Sequence, residues 1–401
     1  MSIIRNQRQT YLRLAEMLRP HWRNDFALAE RIQRMLSAEK RFGSRDRRLY
    51  RELLYTTVRY LPWVENDLGL NPEAAAATVA WLAADLPATR AYRAEVTAGM
   101  PDCPATLADK ARVLGRDQMP LVPDWLSAEC PAALEPAEMD ALHRRASLWL
   151  RLQTKTPENV TAELDAAGCT WRHSDLLPVT LEVLNDKDVT RFSSHAQGAF
   201  EIQDLGSQLL LHLTGITTGQ RWFDACAGAG GKTLQLADML GPAGQVTAHD
   251  IRAPALIELR RRAERAGLHR RIAITTDVPE DRFDGVLVDA PCSGSGTWRR
   301  SPHLKWLTTP DHLQKQSRRQ SELLGRFAQL VKPGGRLIYS TCSLCRQEND
   351  RVVGDFLGHH PDFEPEPPAR DLGYPAGKYG VPLLPARRNT DGFYVAGLRR
   401  R

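Results

Sequence analysis

Apolar positions along this chain change rhythm three times, and each change marks a different kind of structure. From Tyr11 to about residue 97 they recur every three or four residues, as in Leu12, Ala15 and Leu18 and again in Leu49, Leu53, Leu54 and Val58. That is the period of helices with one buried face, and with proline scarce and alanine plentiful an all-helical unit is expected. Between residues 100 and 136, prolines stand at 101, 104, 120, 123, 131 and 136. Each removes an amide donor, so this stretch is expected to be a connector without long regular elements. "LWLRLQT" (148–154) then alternates with the period of a strand, "PENVTAELDAAG" reads as a helix and "PVTLEVL" as more strand. The pattern predicts a helical domain with its connector over 1–135 and a small α+β module over 136–200.

From residue 201 onward the rhythm becomes strand, turn, helix. "RWFDAC", "QVTAHD", "RIAITT", "GVLVDA" and "RLIYST" are short apolar runs, and helical patterns fall over 232–240, 253–266 and about 311–331. Such alternation predicts an α/β domain over 201–401: a mainly parallel, Rossmann-like sheet with helices on both faces. Ligands of such sheets sit beyond the carboxyl ends of the strands, where the strand order reverses.

The first of those strand ends carries "DACAGAGGKT" (224–233). Its Gly-Gly-Lys-Thr suggests a phosphate-binding P-loop, but the first glycine of that motif would fall on Cys226. The alternative is the acidic, glycine-rich turn that opens a helix beneath a nucleoside cofactor, with Asp224, Gly228 and Gly230 in the defining places. Asp250 ends the second strand, at the distance where an acidic side chain meets ribose hydroxyls, Asp277 follows the third and Asp289 the fourth. Singly, each could equally cap a turn or a helix.

Composition narrows the class. The 401 residues are 42% hydrophobic and 25% charged, ordinary for a soluble globular chain of two or three domains. No apolar run is long enough to span a bilayer, and "MSIIRNQRQT" lacks the apolar centre of a signal peptide, so the cytoplasm is the expected compartment. The net charge of +6 is uneven: residues 1–60 hold 14 Lys and Arg against 6 acids, with further basic runs at Arg260 to Arg262 and at Arg270 and Arg271. These are either solvated faces or a surface for an anionic partner such as RNA.

Seven cysteines, an odd number, suggest thiols used chemically rather than paired. Cys292 in "DAPCSGSGTWRR" and Cys342 in "YSTCS" each follow a strand in a polar turn at the expected ligand edge. A thiolate there can attack an unreactive ring carbon such as carbon 6 of a pyrimidine, turning carbon 5 into an acceptor for a methyl group. The aromatics of "WRRSPHLKW" that follow could stack bases or pack a core.

With "EIQDLGSQLL", "DACAGAGGKT", "DAPCSGSGTWRRSP", "KPGGRLIYSTCS", "QEND" and "DGFYVA" in this order, residues 200–401 resemble the Nol/Nop/Sun family of RNA cytosine-5 methyltransferases and its RsmB-type ribosomal RNA members. Upstream, "VPDWL" and "LWLRLQT" look like that family's small RRM-like module, and "FGSRDRRLYRELLY" resembles a NusB-type RNA-binding domain. The resemblance implies S-adenosylmethionine as methyl donor and RNA, foremost ribosomal RNA of the small subunit, as substrate, with no membrane or obligatory protein partner and a monomer sufficient. It implies Cys342 as the nucleophile, Cys292 as the thiol that assists breakdown of the adduct, Asp289 on the cytosine edge and Lys232 reaching toward the same base. The methionine part would lie on Cys226, Ala227, Gly228, Ala229, Gly230 and Gly231, with Asp250 at the ribose, Asp277 at the adenine amino group, Arg252, Lys232 and Asp289 also bordering the cofactor, and no metal. Many relatives read Ala-Pro-Gly-Gly-Lys where this chain has Gly-Ala-Gly-Gly-Lys. Two other readings remain: methylation of transfer RNA, and an RNA-binding assembly factor that keeps the fold without the chemistry.

Overall fold

The computed structural model describes residues 3–401, and the chain divides into two compact units. The first, Met1–Arg145 together with Thr297–Thr309, is helical. It runs through α1 (Ile3–Leu18), α2 (Leu28–Ala38), α3 (Ser44–Arg59), α4 (Leu61–Leu70), α5 (Pro72–Leu82), α6 (Arg90–Val96), α7 (Leu107–Leu114), α8 (Leu126–Glu129) and α9 (Pro136–Leu142). The apolar stripes read from the sequence meet in its core: Leu14 and Leu18 of α1, Leu49, Leu53 and Val58 of α3 and Val64 of α4 are buried together. Tyr11 Oη and Thr57 Oγ1, both buried, hydrogen-bond each other at 2.7 Å.

The proline-rich stretch is more ordered than expected. An eight-residue α7 fits between Pro104 and Pro120, capped by Thr106 and ended by Gly115 in the left-handed conformation, and Pro136 occupies the first turn of α9, where its missing N–H costs nothing. The helical unit therefore extends to Arg145 rather than 135.

The second unit, Ala146–Gly296 and Pro310–Arg401, holds two sheets. The smaller comprises β1 (Leu148–Leu152), α10 (Pro157–Ala166), β2 (Trp171–His173), β3 (Thr180–Val183), α11 (Ser193–Ala196) and β4 (Phe200–Ile202). Its strands are antiparallel in the order β2-β3-β1-β4. Val160 and Leu164, one turn apart on α10, pack on Leu150, Leu152, Leu181 and Phe200. Because β4 completes this sheet, the expected boundary at residue 200 cuts through a strand. Glu201 at its edge is buried and accepts hydrogen bonds from Arg262 at 2.8 Å and from Arg265. Arg261 is paired with Glu258, and Arg271 donates to Ala237 O at 2.9 Å. Part of the basic runs expected to face an anionic partner is thus spent on holding the unit together.

The larger part follows as α12 (Leu205–His212), β5 (Arg221–Asp224), α13 (Gly231–Met239), β6 (Gln245–His249), α14 (Ala253–Arg265), β7 (Ile272–Thr275), β8 (Phe283–Asp289), α15 (Leu304–Leu307, in the helical unit), α16 (Pro310–Ala328), β9 (Val331–Thr341), α17 (Asp350–His359), β10 (Phe363–Glu366), β11 (Val381–Leu383) and β12 (Phe393–Arg400). The sheet order is β10-β12-β9-β8-β5-β6-β7, with β11 on β12. β5 to β9 are parallel, while β10, β11 and β12 run antiparallel at one edge. Strand alternation separates two cores. Trp222, Leu287 and Ile338 face α12 to α14, whereas Phe223, Val286, Val288 and Tyr339 face α16 and α17.

The chain leaves β8 after Asp289 and passes through Thr297–Thr309, which belongs to the helical unit. There Trp298 is buried edge-on to Trp125, with ring centroids 6.1 Å apart. Lys305, also buried, donates to Arg59 O and meets His143 Nε2, both at 2.9 Å. Trp306 Nε1 donates to Val58 O at 2.8 Å. Trp298 is thus packed in the helical unit's core, while Trp306 is partly buried.

Gly285 in β8 lies against Trp222 of β5, and a Cβ there would stand 2.2 Å from the indole ring. Gly285→Ala is therefore expected to overpack the centre of the sheet and destabilise it by about 1–3 kcal/mol. The check is a lowered denaturant midpoint at unchanged slope.

Candidate active site

β5 lies between β6 and β8, so the chain turns one way after β5 and returns on the other side. A crevice opens at the carboxyl ends of these strands, and a cavity of about 510 Å³ occupies it. Its floor is the turn after β5. Gly230 there has φ +90°, and a Cβ on it would stand 2.8 Å from Leu259 of α14, so both conformation and space demand glycine. The turn delivers the amino end of α13 to the cavity, with its unpaired amides and favourable dipole.

Asp224, the last residue of β5, is buried and lines the cavity. Thr233 Oγ1 donates to its Oδ2 at 2.7 Å, but Oδ1 has no hydrogen-bond partner. Burial pushes its pKa up to about 7, with the nearby Asp289 adding to the rise against hydrogen bonding from Thr233 and the charge of Lys232. Asp250, just after β6, accepts from the Gly228 amide at 2.9 Å and is gripped by Arg252 through backbone and guanidinium. Burial works against its charge, but these hydrogen bonds outweigh it and hold the carboxyl below its ordinary range.

Asp289 and Ser340 are neighbours on β8 and β9, with Ser340 Oγ donating to Asp289 Oδ1 at 2.8 Å. Lys232 Nζ, from the first turn of α13, donates to Asp289 Oδ2 at 2.8 Å. Burial alone would pull its pKa down, yet Asp289, Cys342 and Asp224 raise it above the ordinary lysine value, so the ammonium stays charged. This lysine is bound to a carboxylate at the crevice, which fits the nucleoside turn rather than a phosphate loop.

The two cysteines converge because their loops leave adjacent parallel strands at the same edge. Cys292 Sγ and Cys342 Sγ are 3.3 Å apart. Cys292 is pushed well above its ordinary thiol range, by the contact with Cys342, by burial and by the charge of Glu348. It therefore keeps its proton in the neutral range.

Cys226, Ala227, Gly228, Ala229, Gly231, Lys232, Asp250, Arg252, Asp289, Cys292 and Cys342 all line this one cavity. Gly230 shapes the turn without lining it, and Asp277 lies exposed beyond β7, its amide held by Thr275 Oγ1 at 2.9 Å. Four lining residues outside the expected set, Arg319, Leu323, Arg326 and Phe327, come from one face of α16. Their spacing of four, seven and eight was readable as a shared face, but nothing in it distinguishes a wall of a ligand site from a surface helix.

A glycine turn at the switch point, an acidic residue after the second strand and this sheet order define the class: a Rossmann-like methyltransferase domain. The 16S rRNA methyltransferase RsmB/F family matches residues 211–399. The chain is 32% identical over 300 residues to the ribosomal RNA small subunit methyltransferase B of Xylella fastidiosa, covering 71% of each. It is 36% identical over 216 residues to the probable enzyme of that name from Bacillus subtilis and 34% over 269 residues to that of Vibrio cholerae. Those two alignments cover 51% and 65% of this chain and 48% and 60% of the respective relatives, so the chain spans about half to three-fifths of their length. It belongs to the RsmB/F family. Among solved structures, PH0851 shares the fold with a TM-score of 0.72 at 22% identity, covering 97% of both chains. NSun6 from Pyrococcus horikoshii, solved with SFG, shares it at 0.58 and 19% identity over 66% of this chain and 93% of that one.

Proposed function

We propose that this protein transfers a methyl group from S-adenosylmethionine to carbon 5 of a cytidine in small-subunit ribosomal RNA, through a covalent bond between Cys342 and carbon 6. The observation that carries this reading is the pair of sulfurs 3.3 Å apart at the edge of a cavity that also holds the Lys232–Asp289 pair. The cavity suits the cofactor: an unpartnered carboxylate oxygen of Asp224 fits a cationic ligand, Asp250 fits a ribose diol, and Leu323 and Phe327 offer an apolar wall to a purine. Bound there, the cofactor supplies an electrophilic methyl group.

The chain's own residues supply the rest. A target base has to leave its stack to reach Cys342. Asp289, held from two sides by Ser340 and Lys232, is oriented to hydrogen-bond the cytosine edge and favour the protonated, electron-poor ring. Lys232 keeps that carboxylate in place and brings positive charge beside Cys342. The Cys342 thiol gives its proton to solvent as its sulfur adds to carbon 6, and carbon 5 takes the methyl group. Carbon 5 then passes its own proton to solvent water, and the electrons of that C–H bond restore the ring double bond as the carbon–sulfur bond breaks and the sulfur departs with its electron pair. Cys292, still protonated and in contact with Cys342, steadies the departing sulfur.

The test is transfer of labelled methyl groups to RNA from cells lacking the modification, fractionated by size and mapped by bisulfite resistance. One labelled cytidine in small-subunit ribosomal RNA is expected. Label confined to transfer RNA would replace the substrate, and no label with cofactor bound would favour the assembly-factor reading.

A further inference from the structure

Both cysteine loops are backed by one buried carboxylate. Glu348, in the segment between β9 and α17, has no exposed surface, and its two oxygens accept four hydrogen bonds. Oε1 takes the Ser293 amide at 2.8 Å and Gln320 Nε2 at 3.0 Å. Oε2 takes the hydroxyls of Ser293, at 2.5 Å, and of Ser343. Ser293 follows Cys292 and Ser343 follows Cys342, so one carboxylate grips the residue after each sulfur. Gln320 also donates to Pro291 O at 2.9 Å, fixing the residue before Cys292 from α16. The loops meet directly as well, Gly296 N donating to Cys342 O at 3.0 Å.

None of the four donors carries a charge. A carboxylate buried without a counter-ion is costly even when fully hydrogen-bonded, and packing alone gives no reason to keep it. We propose that Glu348 is a positioning residue of the reaction, whose carboxylate, by gripping the residue after each cysteine, sets the spacing of the two sulfurs. The charge of Glu348 contributes to holding the Cys292 thiol protonated, and Lys232 places a positive charge beside Cys342. This assignment rests on the cytosine-5 reading for its catalytic meaning, but the spacing it describes exists without RNA.

The experiment therefore has two arms, with Glu348→Gln and, as a milder disturbance of the same clamp, Ser343→Ala. In the first arm the free protein is treated with a two-armed bimane that bridges neighbouring thiols, at a series of pH values. Less bridging of Cys292 to Cys342, with single alkylation of Cys292 moving to lower pH in Glu348→Gln, is the expected result. In the second arm, turnover on RNA is expected to fall about 10–100-fold with KM for cofactor and RNA unchanged, and the trapped protein–RNA adduct to accumulate. Wild-type bridging and wild-type alkylation in both variants would overturn the proposal, as would a loss of turnover explained wholly by weaker cofactor binding. If Glu348→Gln does not fold, Ser343→Ala decides by the same bridging and adduct readouts. If bridging changes but even the wild type transfers no methyl to RNA, the functional reading fails and the clamp stands.

Discussion

Cys342→Ala is expected to lower methyl transfer by a factor on the order of 10⁴ or more while leaving cofactor binding intact. In the proposed mechanism its sulfur makes the covalent bond to carbon 6, and its neighbour Cys292 is not expected to take over. Cys292, although 3.3 Å away, is held protonated by its contact with Cys342, by burial and by the charge of Glu348. Cys345 is buried, with Ser343 Oγ accepting from its backbone amide at 3.0 Å. Cys292→Ala is expected to fail differently. Addition at carbon 6 and methylation still occur, but the adduct has lost its neighbouring thiol and accumulates as a protein–RNA species stable on a denaturing gel. The two variants together separate bond formation from bond breaking. Equal loss of turnover without any trapped adduct in Cys292→Ala would sink the division of labour.

The second large effect concerns Asp224. In an unfolded chain this carboxyl ionises near 3.8, whereas burial raises it to about 7 in the folded protein. A raised folded value means that the protonated form is the one the fold favours. Its contribution is fully present below pH 3.8 and is lost progressively as pH rises through 7. At about 1.4 kcal/mol per pH unit, the ligand-free protein gives up on the order of 4 kcal/mol across that window. Asp224→Asn keeps an acceptor for Thr233 and removes the ionisation, so it is expected to raise thermal stability above the wild type at pH 8, with the gain shrinking toward pH 4. The same substitution is expected to weaken cofactor binding at pH 8 by about 10–100-fold, because a charged hydrogen bond in a desolvated site is lost. Wild-type affinity is expected to strengthen as pH rises toward 7 and to level off above it, and the variant's to stay flat, measured by calorimetry. A flat wild-type profile would mean that Asp224 does not meet the ligand's positive charge.

Much of the larger domain was legible because parallel strands buried on both faces leave near-continuous apolar runs. "GVLVD" and "RLIYST" fall within β8 and β9, and each cysteine was placeable from the polar turn that follows. The antiparallel edge of β10, β11 and β12 was not. Strand direction is a matter of backbone pairing, and "DGFYVA" shows the same apolar character whichever way it runs. Asp224 was visible as the acid of the glycine turn, but that one of its oxygens is buried and unpartnered depends on atoms brought from elsewhere in the chain. Asp277 had the right spacing, yet the turn after β7 leaves it in solvent. Glu348 stood inside a recognised motif, and its grip on both serines is invisible until β8 and β9 are set side by side.

The threading of Thr297–Thr309 has a consequence for modularity. The polypeptide passes between the two units at 145–146, again at 296–297 and a third time at 309–310. A fragment ending at Arg145 would leave the indole of Trp125 without Trp298 and His143 without Lys305. The helical unit is therefore not a detachable bead on a string. It cannot be excised, shuffled or grafted by cutting the chain once, and a chain that lost it by truncation would be left with a thirteen-residue tongue in the middle of its α/β unit.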